Sequence, residues 1–370
     1  MNKFQTTLYN DLINLTEQKP DVFVKKMFSQ EDGSFFEIFN YKLAKKSDFE
    51  LPNAMNCRGT MFYTYPDKQT KKLIALPMQK FFSLGEGGNK DNKFKIENAD
   101  SATIKEDGSL VTAYFCPMKN KVEFKSQNVP VFHQYDLIQE LDQYFKECLV
   151  KLVENGYSVD FELTSPKNRV VIEYNEVKSH IILIRNLENG KTTFANTEEF
   201  NTQFPELTHY CVKTINVKDI DIYRKDIEGY VLNFQGETKK LKTIPFLDVV
   251  SVVQIQDKTK LKENLFKAAL SGVMDEIRSL YYYKANSENY PLERFIKQAD
   301  EAEKYAIDTY NEYKKNVQEF LENNKDLSKE EFTKKAVEMG KDYTPTLMQI
   351  YNNKEVNLKQ TVIRLYSKKY

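Results

Sequence analysis

Lys105 stands in the run Ile104-Lys105-Glu106-Asp107-Gly108-Ser109-Leu110, a lysine beside an Asp-Gly turn with apolar flanks. Two readings fit it. Asp-Gly followed by Leu110-Val111 is an ordinary hairpin signal, with the lysine incidental. The other reading is a nucleophilic amine. At an unperturbed pKa of about 10.4, roughly one lysine in a few thousand is neutral at pH 7, so freeing the amine costs about 4–5 kcal/mol. Desolvation and nearby cations lower that cost. If the electrophile is a nucleotide phosphate, further cations must take up charge on the phosphoryl oxygens and the leaving pyrophosphate, and carboxylates must hold a divalent metal.

Strand-like runs supply both kinds of group. In Lys240-Leu241-Lys242 the alternation of a strand puts both ammonium groups on one face, although a solvated edge strand explains an isolated Lys-x-Lys as well. In Val159-Asp160-Phe161-Glu162-Leu163 the acids share one face, as they do on any half-buried strand with a polar outer side. Ile227-Glu228-Gly229-Tyr230-Val231 sets a carboxylate beside a glycine, a place for close ligand approach or simply a bulge.

The order of these fragments adds specificity. Cys57-Arg58-Gly59, Lys80-Phe81-Phe82, Lys105-Glu106-Asp107-Gly108, Phe161-Glu162, Glu228-Gly229 and Lys240-Leu241-Lys242 follow one another as in the covalent nucleotidyltransferases, the superfamily of polynucleotide ligases and mRNA capping enzymes. Together with Leu51-Pro52 and Ala54, Pro77-Met78, Pro166, Asn168-Arg169 and Leu265-Phe266-Lys267, the chain resembles the phage (T-even type) RNA ligase 1 family from about Phe39 to Tyr281. One departure stands out: after Phe124-Lys125-Ser126 that family continues with a basic residue and glycine, where this chain has Gln127-Asn128.

The resemblance implies an ATP-dependent RNA ligase that works through lysyl-AMP and RNA-adenylate, with magnesium or manganese, in RNA or tRNA repair. It implies Lys105 as nucleophile, with Glu106, Asp107 and Gly108 shaping its turn and the Glu106 backbone reading the adenine edge. Arg58, Lys80 and Phe82 fall near ribose and phosphates, and Glu162 and Glu228 near the metal. Lys240 and Lys242 contact the α-phosphate. Lys125 joins the nucleotide site unless it is a surface lysine on a strand, and Asp275 joins the metal unless it lies on a solvated helix face. The implied partner is RNA with 5′-phosphate and 3′-hydroxyl ends, cleaved tRNA among the candidates, bound by a monomer.

Composition agrees without deciding. The 370 residues suggest two domains, and 54 basic against 54 acidic residues leave no global basic field, so RNA binding rests on local clusters. Cys57, Cys116, Cys148 and Cys211, like His133, His180 and His209, lack metal-ligand spacing. Gly85-Glu86-Gly87-Gly88 reads as a loop near the nucleotide pocket, without a P-loop ending. With no signal segment and no membrane-length apolar run, the expected location is the cytoplasm, that of an infected host if the chain is phage-encoded.

Up to about residue 255, strand-like runs are interrupted by helical stretches at Asn2–Asn14 and Tyr135–Asn155. Beyond it, Lys262–Tyr282, Pro291–Asn323 and Ser328–Met339 read as helices, with capping-box spacing at Ser328 and Glu331 and Pro345 starting or interrupting the next. The fold class is therefore α+β: an antiparallel-sheet nucleotidyltransferase domain of the ligase adenylation (ATP-grasp-like) type over 1–254, then an all-helical domain over 255–370. A helical tail differs from the OB-fold that DNA ligases and capping enzymes attach there. Those two enzymes, and a non-catalytic RNA-binding relative, are the alternatives.

Overall fold

A computed structural model of the chain describes residues 1–86, 93–168, 171–251, 261–278 and 292–369. The chain forms two compact units, Met1–Phe246 and Leu247–Tyr370. The expected change of architecture near 255 lies outside the described residues, as do Gly87, Gly88 and Arg169.

In the first unit, Asn2 and Gln5 cap helix α1 (Lys3–Gln18) reciprocally. Its stripe of Leu8, Leu12 and Leu15 is buried, which carries the helix past the expected Asn14. That stripe packs with Phe23, Phe39 and Phe62 of a four-stranded antiparallel sheet, β1 (Phe23–Ser29), β2 (Phe35–Tyr41), β3 (Thr60–Thr64) and β4 (Lys71–Ala75). Phe36, Ile38, Met61 and Tyr63, on the opposite face, pack against Tyr114 and Cys116.

Those two residues belong to a second sheet, which contains β7 (Ser109–Cys116), β8 (Lys121–Lys125), β9 (Tyr157–Thr164), β10 (Lys178–Asn186) and β11 (Thr192–Phe194) in the order β11-β10-β9-β7-β8. Val159, Phe161 and Leu163 share one core with Phe145 and Leu149 of helix α3 (Gln143–Glu154). The single helix expected over 135–155 is two, because Leu141 is extended and the Asp142 carboxylate caps a fresh start by accepting from Phe145 N–H; α2 spans Tyr135–Glu140. Helix α4 (Glu198–Gln203) adds Phe200 to the same core.

The third sheet is β5 (Phe82–Ser83), β6 (Ser101–Lys105), β12 (Thr214–Ile215), β13 (Gly229–Phe234) and β14 (Glu237–Lys242), in the order β12-β6-β13-β14-β5 with β5 parallel to β14. This order overturns the hairpin reading of the Asp-Gly turn. Strand β6 pairs with β12 and β13, whereas β7 pairs with β8 and β9, so the turn after Lys105 steps from one sheet to another. Gly108 sits at the step, where an added Cβ would lie 2.3 Å from the Leu163 carbonyl oxygen. Gly108→Ala is expected to cost about 2 kcal/mol or more by overpacking, read as a lower midpoint in urea unfolding.

Helix α5 (Ile244–Ser251) runs across the division between the units. The described part of the second unit beyond it is helical: α6 (Leu261–Ser271), a short stretch at 274–278, α7 (Leu292–Asn323), α8 (Lys329–Glu338), α9 (Thr344–Tyr351) and α10 (Leu358–Tyr366). Gly272, at φ +79°, stops the helix expected to continue from Lys262. Ser328 and Glu331 form both bonds of the capping box, and Pro345 begins α9.

Candidate active site

Strand pairing assembles the cations. Lys105 at the end of β6 is level with Gly229 on β13, and Gly229 with Lys242 on β14. Residues level across a sheet point to the same face, so the two lysines flank a position with no side chain. Lys240 shares that face one row along, level with Val231 and with Ser83 of β5. Because β14 lies between β13 and β5, the edge-strand reading of Lys-x-Lys fails; Lys242 is buried and Lys240 half-buried.

Glu228, one residue before the glycine, reaches between the ammonium groups. Its Oε1 accepts from Lys242 Nζ at 3.0 Å and its Oε2 contacts Lys105 Nζ. Burial alone would raise its pKa, but the Lys105 and Lys242 charges overcome that and hold it below the ordinary glutamate value. Sequence reasoning expects cationic neighbours around Lys105; the structure adds a carboxylate in direct contact with it.

The turn beyond Lys105 is bound at each residue. Gly108 N–H donates to Glu162 Oε1 at 3.1 Å. Asp107 Oδ2 accepts from Val171 N–H and Ile172 N–H at 2.7 and 2.8 Å. Asp107 N–H donates to Tyr174 Oη at 2.8 Å, and that hydroxyl donates to Glu106 Oε2 at 3.0 Å. His180, level with Glu162 on β10, puts Nδ1 3.9 Å from Glu106 Oε1 and Nε2 3.0 Å from Thr164 Oγ1. Desolvation pushes the Glu162 carboxyl up to about 7; the Glu228 charge adds to this, while Lys105, Gly108 N–H and Arg58 oppose it.

The polar face of β9 is largely interior, with Asp160 buried and Glu162 half-buried. Asp160 is fully buried, accepting from Thr112 Oγ1 at 2.7 Å and from Met78 N–H. Burial raises its pKa against those hydrogen bonds and the charges of Arg58 and Lys125. Half-buried Arg58 donates through Nη1 to the Met78 carbonyl at 3.4 Å and is near enough to Glu162 and Asp160 to favour their charged forms.

Lys125 overturns its surface reading. It is fully buried and donates to the Gly59 and Ser126 carbonyls at 3.0 and 2.7 Å. Gly59 has φ +91°, and an added Cβ would meet Gln127 O at 2.8 Å and Lys125 Nζ at 3.2 Å. Where the resembled family has a basic residue and glycine, Gln127 donates to Asn40 Oδ1 at 3.0 Å and Asn40 donates to Asn128 Oδ1 at 2.7 Å, an amide cluster in place of a cation.

Burial lowers the Lys125 pKa to about 7, with Asp160 opposing and Arg58 adding. Between that value and the unfolded 10.5 the unfolded chain holds the extra proton, so this group's contribution to stability rises with pH and is least favourable below 7. Relative to Lys125→Met, the wild type should gain on the order of 2 kcal/mol from pH 7 to pH 9, measured by urea unfolding at both.

Lys80 and Lys46 each lie 5.4 Å from the Phe82 ring centroid, and Lys80 is 5.6 Å from that of Tyr41. Phe82 itself is buried, edge-on to Phe49 at 5.6 Å, so it is chiefly a packing residue beneath the two cations. Asp275 lies partly buried in the 274–278 stretch of the second unit.

Among the described residues no three His, Cys, Asp or Glu side chains form a metal cage. Glu162 and Glu228 suit a cation that takes one or two carboxylates and completes its shell with water and phosphate oxygens, as magnesium does. Asp160 enters the neighbourhood as the companion acid of Glu162 that the strand run offers, while Tyr174 and His180 enter it with no site role read from the sequence. A lone Tyr174 in a loop and a lone His180 offer no sequence signal for such a role.

No known protein-family model matches the chain. Solved structures that align with it include an archaeal ATP-dependent RNA ligase in two forms, at 12% identity with TM-scores of 0.47 and 0.48, over 96% of this chain and 100% of theirs. A protein from Aquifex aeolicus described as a putative ATP-dependent DNA ligase aligns at 14% identity and TM-score 0.44, over 83% of this chain and 81% of its own. Among the described residues no helix is long and apolar enough to cross a membrane.

Proposed function

We propose that the chain is an ATP-dependent RNA ligase acting on 5′-phosphate and 3′-hydroxyl ends in RNA or tRNA repair. One observation carries this reading: Lys105, Gly229 and Lys242 are level across three strands, with Glu228 between the two amines. A purely structural ion cluster does not need the ordered motifs that surround this one.

Lys105 Nζ attacks the α-phosphorus of ATP; a P–N bond forms and the bond to pyrophosphate breaks. The ammonium in the resting arrangement must first lose its proton, and Glu228 Oε2 is the carboxylate oxygen in contact with it. Lys240 and Lys242, on the same face, neutralise phosphoryl charge. AMP then passes to the RNA 5′-phosphate, breaking the P–N bond and restoring the amine, and the 3′-hydroxyl oxygen displaces AMP to seal the strand. Glu162 and Glu228 would hold magnesium or manganese, which supplies charge neutralisation on the phosphates. Arg58 and Lys80 are assigned to ribose and phosphates.

Incubation of the full chain with α-labelled ATP and magnesium tests the first step. Acid-resistant label on the protein is expected from ATP; label from GTP alone would replace this reading with a capping-type one. Sealing assays on nicked tRNA, linear single strands and nicked DNA duplex distinguish an RNA ligase from a DNA ligase.

A further inference from the structure

Tyr174 has no place in the chemistry above, yet its hydroxyl is shared by the two residues that follow the nucleophile. It accepts from Asp107 N–H at 2.8 Å and donates to Glu106 Oε2 at 3.0 Å. A phenol is well suited to this junction because one oxygen both accepts and donates. Burial together with the Glu106 and Asp107 charges raises the Tyr174 pKa, so the hydroxyl keeps its proton. Glu106 is thereby fixed at its side chain by one group and, through the next peptide, at its backbone by the same group.

The rest of the strap strengthens that fixation. Val171 and Ile172 N–H hold the Asp107 carboxylate, and Glu162 holds Gly108 N–H, so of the turn's peptides the one between Glu106 and Asp107 depends on Tyr174 for its hydrogen bond. His180, 3.9 Å from the second Glu106 oxygen, closes the far side. Three segments distant in sequence, 171–174, β9 and β10, thus converge on the three residues that follow the lysine, more restraint than a sheet-to-sheet connection requires.

We propose that Tyr174 is a positioning residue for nucleobase selection: through its bond to Asp107 N–H it sets the orientation of the Glu106–Asp107 peptide, whose C=O selects the edge of adenine over that of guanine. This rests on the ligase reading above, and on Lys105 as nucleophile. A peptide discriminates the two bases only if it cannot rotate, because adenine presents a donor where guanine presents an acceptor. With the hydroxyl removed the peptide gains freedom, and the penalty for a mismatched base falls.

The test compares wild type with Tyr174→Phe, full chain, measuring rates of acid-resistant labelling over a range of ATP and GTP concentrations. Losing a hydrogen bond to a charged group is expected to lower labelling efficiency with ATP about tenfold. The loss should fall mainly on KM, with the ATP-to-GTP preference narrowing by a similar factor. Tyr174→His, which can still accept and donate, should restore part of the preference. A merely structural tyrosine would lower both nucleotides in proportion and depress kcat, leaving the preference intact, and that result, or no change at all, overturns the proposal. Wild type that takes no label from ATP refutes the ligase reading itself, a distinct outcome.

Discussion

Lys105→Ala is expected to reduce acid-resistant labelling by ATP to background, a fall of at least about 10⁴-fold, because no other group replaces an amine that forms the bond. The same variant should still seal RNA supplied already adenylylated at its 5′ end. That final step joins a 3′ oxygen to phosphorus and makes no P–N bond, so it needs the phosphate-binding cations but not the nucleophile. The two assays together separate a lost nucleophile from a lost fold. Retention of labelling would place the covalent bond on another residue, and loss of both activities would leave Lys105 with a structural role in pairing Glu228. Lysine 105 lies at a strand end with its side chain 21% exposed, so its removal need not empty a packed core.

What can be read from the chain before its structure depends on how far each feature reaches. The shared face of Asp160 and Glu162 and that of Lys240 and Lys242 follow from strand alternation, a property of consecutive residues. The capping boxes at Asn2 and Ser328 are equally local. The Asp-Gly turn misleads because its local chemistry permits a hairpin, while Lys105 pairs with a glycine more than a hundred residues away. Lys125 misleads for the same reason: the carbonyl that accepts its proton belongs to Gly59, on a distant segment, and without it a strand lysine belongs at the surface. Tyr174 is invisible because nothing in its neighbours announces that a carboxylate and an N–H more than sixty residues earlier in the chain need one hydroxyl. Pairing the third sheet shows why Gly229 matters. An added Cβ there would lie 2.2 Å from the Leu241 carbonyl oxygen and 2.6 Å from Lys242 Cα, displacing the strand that carries Lys242.

Glu228→Gln should be the most destabilising single change at the site, and its partner reversal shows why. Glu228 is buried to 5% exposure and is the contact shared by Lys105 and Lys242. The amide keeps the shape and removes the charge, leaving two ammonium groups facing each other in a partly desolvated pocket. Breaking a buried ion pair by removing one partner costs about 3–5 kcal/mol. Adding Lys242→Met removes one of the opposed charges and fills its space with an apolar chain, so the double variant should regain on the order of 1–2 kcal/mol over Glu228→Gln alone. Activity should move the other way. Labelling by ATP falls in the single variant and falls further in the double, because Lys242 is assigned to the phosphate as well as to the pair. Urea unfolding and labelling, measured on the same three proteins, therefore diverge if the cluster serves both ends. If stability instead fell additively, the two lysines would not be held by a common carboxylate in solution. If labelling recovered along with stability, Lys242 would be a structural counter-charge and the phosphate contact would pass to Lys240.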